Sequence, residues 1–280
     1  VVSDIDRFQQ STARLDLTGI DFEAFRDDPL DDDALRCLRY MHDVEHHTVC
    51  YLRNLLNTRA HDDPDITSFL TLWNFEEHWH GEAIGQVLAA HGELSGSRRL
   101  GPMRRRQGWT RTVSPLAWMA FSAANRHFLA LHMTVGAINE WTTQAGYAQL
   151  VSRTDHPVLR DLLSRIMRQE GRHIAFYATR SRELLEVSRA AQRTTRWMLR
   201  LAWSPVGAKV MPRAETAHLA SALFGGPEGG LVAERIDRRI GRLPGLDGLH
   251  LVRTALVPDQ AMGATRTASR TSTRWVPNSA

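Results

Sequence analysis

Glu77-His78-Trp79-His80 and Glu170-Gly171-Arg172-His173 repeat one pattern, a Glu followed three residues later by a His. On a helix, positions i and i+3 lie about 4.5 Å apart along the axis and about 60° apart around it, so the pair can ligate one metal from a single turn. Each copy sits in a segment with helical periodicity. Glu77 shares its inward stripe with Leu70, Trp73 and Ile84; Glu170 shares its stripe with Leu163, Ile166, Met167, Ile174 and Tyr177. Two further helical segments each carry one carboxylate on an apolar face. Glu45 stands among Met41, Thr48, Val49 and Leu52, and Glu140 among Met133, Ala137, Thr143 and Tyr147. Four helices, four carboxylates and two imidazoles are the inventory of a two-metal site inside an all-α four-helix bundle.

Charge arithmetic supports that inventory. A buried, unpaired carboxylate costs several kcal/mol, and a domain has a net stability of about 5–15 kcal/mol. Two divalent cations against four Glu give zero net charge, and neutral imidazoles complete the ligand shells. Mixed carboxylate and imidazole ligation suits iron or manganese, with zinc also open on ligand type. The alternative is that these Glu pair with Arg or face solvent. Glu76 could serve the metal of His80 at i,i+4 spacing. His46, His47, His78 and Glu82 read as outer or surface groups rather than ligands.

Around this centre the chain of 280 residues is 42% hydrophobic and 24% charged, ordinary for a globular protein. Strand signals are almost absent. The Asp31-Asp32-Asp33 run caps a helix to about Thr58. Further helices are expected over about 65–91, over 115–152 with Gly136 as a kink, over 155–187, and in a basic segment to about Trp203. The Arg-rich stretch from Gly92 to Val113 reads as a loop. Residues 1–30 read as a short helix with an irregular lead-in, and 212–256 as shorter helices. The expected organisation is one domain over 1–257, with a bundle core at 31–187 and a helical C-terminal extension at 188–257. A disordered tail is expected over 258–280, where Thr, Ser, Ala, Arg and Gly dominate.

No secretory signal or membrane span is expected: Leu116 to Ile138 is interrupted by Asn125, Arg126, His127 and His132. Cys37 and Cys50 fall in one expected helix, roughly 20 Å apart along its axis, too far for a disulfide. Free thiols suit a cytoplasmic protein. The net charge is +4. Arg98, Arg99, Arg104, Arg105 and Arg106 form one basic cluster. Arg189, Arg193, Arg196 and Arg200 form another on one helical face, which reads either as solvated surface or as a docking face for an acidic partner. No nucleic-acid motif accompanies the Arg.

Trp73-Asn74-Phe75-Glu76-Glu77-His78-Trp79-His80-Gly81-Glu82 resembles the W-x-x-E-E-x-x-H-G-[DE] motif of the soluble acyl-acyl-carrier-protein desaturases. Glu140-Trp141-Thr142-Thr143, followed by Tyr147, is similar to that family's third-ligand helix, and Glu170-x-x-His173 to its final ligand pair. The match covers roughly residues 30–180 and looks closest to the compact actinobacterial branch. The resemblance implies a ferritin-like bundle with additional N- and C-terminal helices, holding two iron ions (Fe2+) with O2 as co-substrate. Glu45, Glu77 and His80 would serve one iron, Glu140, Glu170 and His173 the other, with Glu77 and Glu170 bridging. The implied reaction places a cis double bond in a fatty acyl chain on acyl carrier protein, with electrons from ferredoxin, in a homodimer. Thr143 would aid proton delivery, unless its hydroxyl bonds the i−4 carbonyl. Plant members carry Asp where this chain has Gln169, a change that bears on ligand basicity and electron delivery. Hydroxylation or N-oxygenation of a carrier-bound substrate and ferroxidase activity are the alternatives; relatives that N-oxygenate carry a His where this chain has Ile166.

Overall fold

A computed structural model describes residues 3–257, and the expected tail at 258–280 lies outside the described residues. No strand occurs among them. The helices are α1 (Asp4–Ser11), α2 (Asp32–Glu45), α3 (Thr48–Leu55), α4 (Pro64–Ala90), α5 (Gly96–Arg106), α6 (Thr110–Ala124), α7 (Phe128–Arg153), α8 (Pro157–Glu186), α9 (Arg189–Ala202), α10 (Arg213–Phe224), α11 (Gly226–Gly241) and α12 (Leu251–Leu256). Single turns at Ala24–Asp27 and Arg59–Asp62 join them. Helices α2, α4, α7 and α8 form the bundle, and one contiguous apolar core runs from Ile5 to Leu256. No helix among the described residues is long and apolar enough to cross a membrane.

The helix starts follow their capping chemistry. Asp31 accepts from the Ala34 amide, and Asp63 accepts from those of Asp65 and Ile66 with Pro64 at the first position of α4. His156 Nδ1 accepts the Leu159 amide ahead of Pro157.

Three boundaries differ from expectation. The helix expected from Asp31 to Thr58 is broken at His46–His47, where Thr48 Oγ1 takes the Glu45 carbonyl at 2.6 Å and the His47 amide bonds back only three residues, to Val44. Cys37 and Cys50 therefore lie in different helices, both as free thiols. Val49, expected beside Glu45 on the inward stripe, is exposed. The Arg-rich stretch is helical rather than a loop: Leu100 and Met103 on α5 pack with Tyr40 and Met211 in a small separate apolar cluster. Arg has good helix propensity, and the two apolar residues at i,i+3 supply the buried face. The expected 115–152 helix is two helices, parted where the Asn125 side chain accepts the His127 amide.

Gly136 lies inside α7, which is helical on both sides of it. A Cβ there would lie 2.3 Å from the Tyr177 ring, so its lack of a side chain lets α8 approach.

Candidate metal centre

All six proposed ligands are buried, and the fold brings them together in two overlapping groups. Glu45, Glu77, His80 and Glu170 form one; Glu77, Glu140, Glu170 and His173 form the other. Within each group one ligand atom per residue lies within 4.8 Å of the others. Glu77 and Glu170 belong to both.

The contacts explain how the helices aim these groups. Glu45 ends α2, and the Tyr147 hydroxyl on α7 donates to it. The Trp73 indole N–H donates to Glu140 at 3.0 Å, tying α4 to α7. His173 Nδ1 lies 3.0 Å from both Glu77 Oε1 and Glu170 Oε2, and His80 Nδ1 lies 3.3 Å from Glu170 Oε1.

The outer ring nitrogens are held in a crossed arrangement. His173 Nε2 is 2.8 Å from Glu76, the residue before Glu77; His80 Nε2 is 2.8 Å from the side-chain oxygen of Gln169, the residue before Glu170. Glu76 therefore faces His173 rather than the ligand group of His80, and Arg172 also bonds it. A backbone residue closes both ends. The Ala13 amide donates to Glu76 at 3.2 Å, and the Ala13 carbonyl accepts from Gln169 at 3.0 Å. Ahead of Ala13, α1 sets Phe8 against Phe69 and Phe176. The part played by Ala13 has no side-chain signature, so nothing in the sequence could mark it. Tyr147 was legible as a core position but not as the partner of Glu45.

A divalent pair fits this donor set. With Nε2–H of each His given outward to Glu76 or Gln169, both Nδ1 lone pairs face the carboxylates. Glu45 Oε2, Glu170 Oε1 and His80 Nδ1 are buried without a hydrogen-bond partner, which is costly unless a cation collects them. The titration pattern of the protein groups alone reflects the same crowding. Burial, then repulsion from Glu77 and Glu170, holds Glu45 well above the usual carboxylate range; burial with Glu170 and Glu77 does so for Glu140. Burial also works against the charged forms of Glu77 and Glu170, yet a bond from Glu45 and then those from the histidines keep Glu77 low, and bonds from the histidines keep Glu170 low. Against burial, Glu170 and Glu77 raise His80 to about 9, and Glu170, Glu76 and Glu77 raise His173 further above its ordinary value.

Thr143 is half-buried and does not sit within either group. It lines an apolar cleft of about 50 Å³ with Glu45, Met41, Tyr147, Leu219 and Leu223. The i−4 backbone bond considered for Thr143 is made by Thr142, to the Ile138 carbonyl.

The basic clusters divide in use. Arg99 forms a two-pronged pair with Asp43, and Arg104 bonds the His46 carbonyl. On α9, Arg193 and Arg200 are exposed, whereas Arg196 bonds the carbonyls of Gly245 and Asp247.

No protein-family model matches the sequence, and no curated protein matches it. Among solved structures, the chain is similar to the X-ray structure of DesA2 from Mycobacterium tuberculosis H37Rv, described provisionally as an acyl-ACP desaturase. The identity is 21%, the TM-score 0.47, and the match covers 74% of this chain and 75% of that one.

Proposed function

We propose that the protein is a di-iron, O2-dependent desaturase acting on a fatty acyl chain bound to acyl carrier protein, with ferredoxin supplying electrons. The observation that carries this reading is the pair of buried donor groups sharing Glu77 and Glu170. The sequence motif from Trp73 to Glu82 supports it, with Trp73 bonded to Glu140. Glu45, Glu77, His80, Glu140, Glu170 and His173 would hold two irons, which when bound supply the O2 chemistry that unactivated C–H bonds require and side-chain acid–base chemistry cannot.

The chain's own residues do the rest. Tyr147 and Trp73 fix the terminal carboxylates; Glu76 and Gln169 fix the imidazoles. The cleft beside Glu45 and Thr143 is apolar and offers a dry approach for methylene groups. Its volume of about 50 Å³ admits only a few small groups, so a long chain must displace the wall formed by Leu219, Leu223 and Phe224. Thr143, which lines that cleft, is the residue assigned to proton delivery. A homodimer belongs to the same reading on the family resemblance, and a cytoplasmic location on the two free thiols.

Reconstitution with iron, ferredoxin, its reductase and a panel of acyl carrier protein substrates tests the assignment. Mass spectrometry should show a loss of about two mass units from the acyl chain, the hydrogen removed in forming one double bond. A gain of one oxygen atom assigns hydroxylation instead. Iron oxidation by O2 with no change in any acyl substrate assigns a ferroxidase.

A further inference from the structure

A smaller set of metal-binding side chains lies outside the buried carboxylate cluster and shares no residue with it. His46 occupies the turn between α2 and α3, and His78 and Glu82 stand four residues apart on α4. One ligand atom from each lies within 4.8 Å of the other two. The His46 ring is 7% exposed, and its Nε2 has no hydrogen-bond partner. Glu82 Oε1 is 3.5 Å from that nitrogen, and the His46 and His78 ring centroids are 5.6 Å apart.

The backbone is shaped for the ring. Gly81 lies between His78 and Glu82, and a Cβ there would come within 2.7 Å of His46 Cδ2 and 2.8 Å of Nε2. The imidazole thus occupies the space that a side chain at position 81 would need. Arg104 holds the His46 carbonyl at 3.1 Å, fixing the turn. His42 packs edge-on at 4.6 Å, but its two nitrogens are engaged, with Asp43 and with the Gly96 amide. It leaves His46 as the buried donor of the set.

We propose that His46, His78 and Glu82 form a mononuclear site for a divalent transition metal of the zinc type, separate from the buried dinuclear centre. Two imidazoles and one carboxylate with a solvent-facing fourth position are a zinc donor set, and imidazole disfavours magnesium and calcium. His78 and Glu82 at i,i+4 supply two ligands from one helix face. His46 brings the third from the turn directly after Glu45, so a bound ion ties the end of α2 to α4. By sequence these three read as outer or surface groups; the unsatisfied Nε2 beside a glycine-lined seat ranks them higher.

The test is Zn2+ titration of the iron-loaded full chain against a chromophoric zinc indicator, with iron content followed in parallel. One Zn2+ should bind per chain with iron retained. His78 is exposed and Glu82 half-buried, so His78→Ala and Glu82→Ala should fold normally. Each should weaken zinc binding by more than about tenfold, since even an outer partner of a metal ligand is worth about 10–100-fold. At zinc about 100-fold above Kd, the unfolding midpoint of the parent should rise by about 5 °C, and that of His78→Ala by no more than about half as much. The deciding comparison is parent against variant, so it holds whatever occupies the buried centre. Equal zinc binding in parent and His78→Ala, or zinc uptake only in exchange for iron, overturns the site.

Discussion

His80 Nε2 and the Gln169 side-chain oxygen lie 2.8 Å apart, while the corresponding nitrogen of His173 meets the carboxylate of Glu76. The two imidazoles therefore face the same carboxylates from opposite helices with unequal backing: a neutral amide behind one, an anion behind the other. An anionic partner raises the basicity of a ligating imidazole more than an amide does. The two candidate metal positions are thus inequivalent by construction.

Replacing Gln169 with Leu keeps much of the volume and removes the acceptor for His80. The bond to the Ala13 carbonyl goes with it. Metal affinity at the position served by His80 should fall about 10–100-fold, with the position served by His173 less affected. Iron titration should then show two separated steps where the parent shows closer affinities. A uniform loss at both positions would count against independent backing of the two rings.

Metal loading should release protons. For the protein groups alone, burial and like charge shift Glu45 and Glu140 towards their protonated forms, and the neighbouring carboxylates shift His80 and His173 towards theirs. Ligation needs carboxylates and neutral imidazoles, so binding of divalent ions should displace protons from these groups. Affinity should therefore climb as pH rises through the His80 value of about 9. The metal-free chain moves the other way. The raised pKa of His80 contributes stability that is full below pH 6.5 and is lost as pH rises through about 9. Calorimetry in buffers of differing ionisation heat counts the protons, and melting curves of chelated protein from pH 6 to pH 9 check the sign.

The gathering of four carboxylates and two imidazoles was legible because burying carboxylates on apolar stripes has few solutions, and because Glu-x-x-His spacing sets two side chains on one turn. The boundaries that went astray were set by tertiary context. The break after Glu45 depends on Thr48, whose hydroxyl also accepts from Asn74 on another helix. The helix through Arg98–Arg105 depends on a cluster that Met211 completes from more than a hundred residues away. The Ala13 bonds are made by backbone atoms, which every residue type carries.

Two glycines of α7 should respond oppositely to Ala. At Gly136 the added methyl would meet the fully buried Tyr177 ring at 2.3 Å; overpacking should cost about 1–3 kcal/mol and lower the unfolding midpoint. At Gly146 the nearest atoms, of Met41 and Leu223, lie at 3.6 and 3.7 Å, an ordinary contact. Gly146→Ala should gain about 0.5–1 kcal/mol of helix propensity. Because Gly146 lines the cleft beside Thr143, the same change should slow acyl turnover with iron content unchanged. Paired melting curves and turnover measurements separate the two effects.

Charge reversal on α9 tests the docking face, and the structure selects which arginines to use. Arg196 bonds two backbone carbonyls of the 245–247 segment, so reversing it would disturb the fold as well as the surface. Arg193 and Arg200 are exposed. The double variant Arg193→Glu with Arg200→Glu should keep its iron and melting midpoint. It should raise the apparent KM for an acyl carrier protein substrate and flatten its dependence on salt, since rim charges act mainly on encounter with an acidic partner. An unchanged KM at low ionic strength would place the docking face elsewhere.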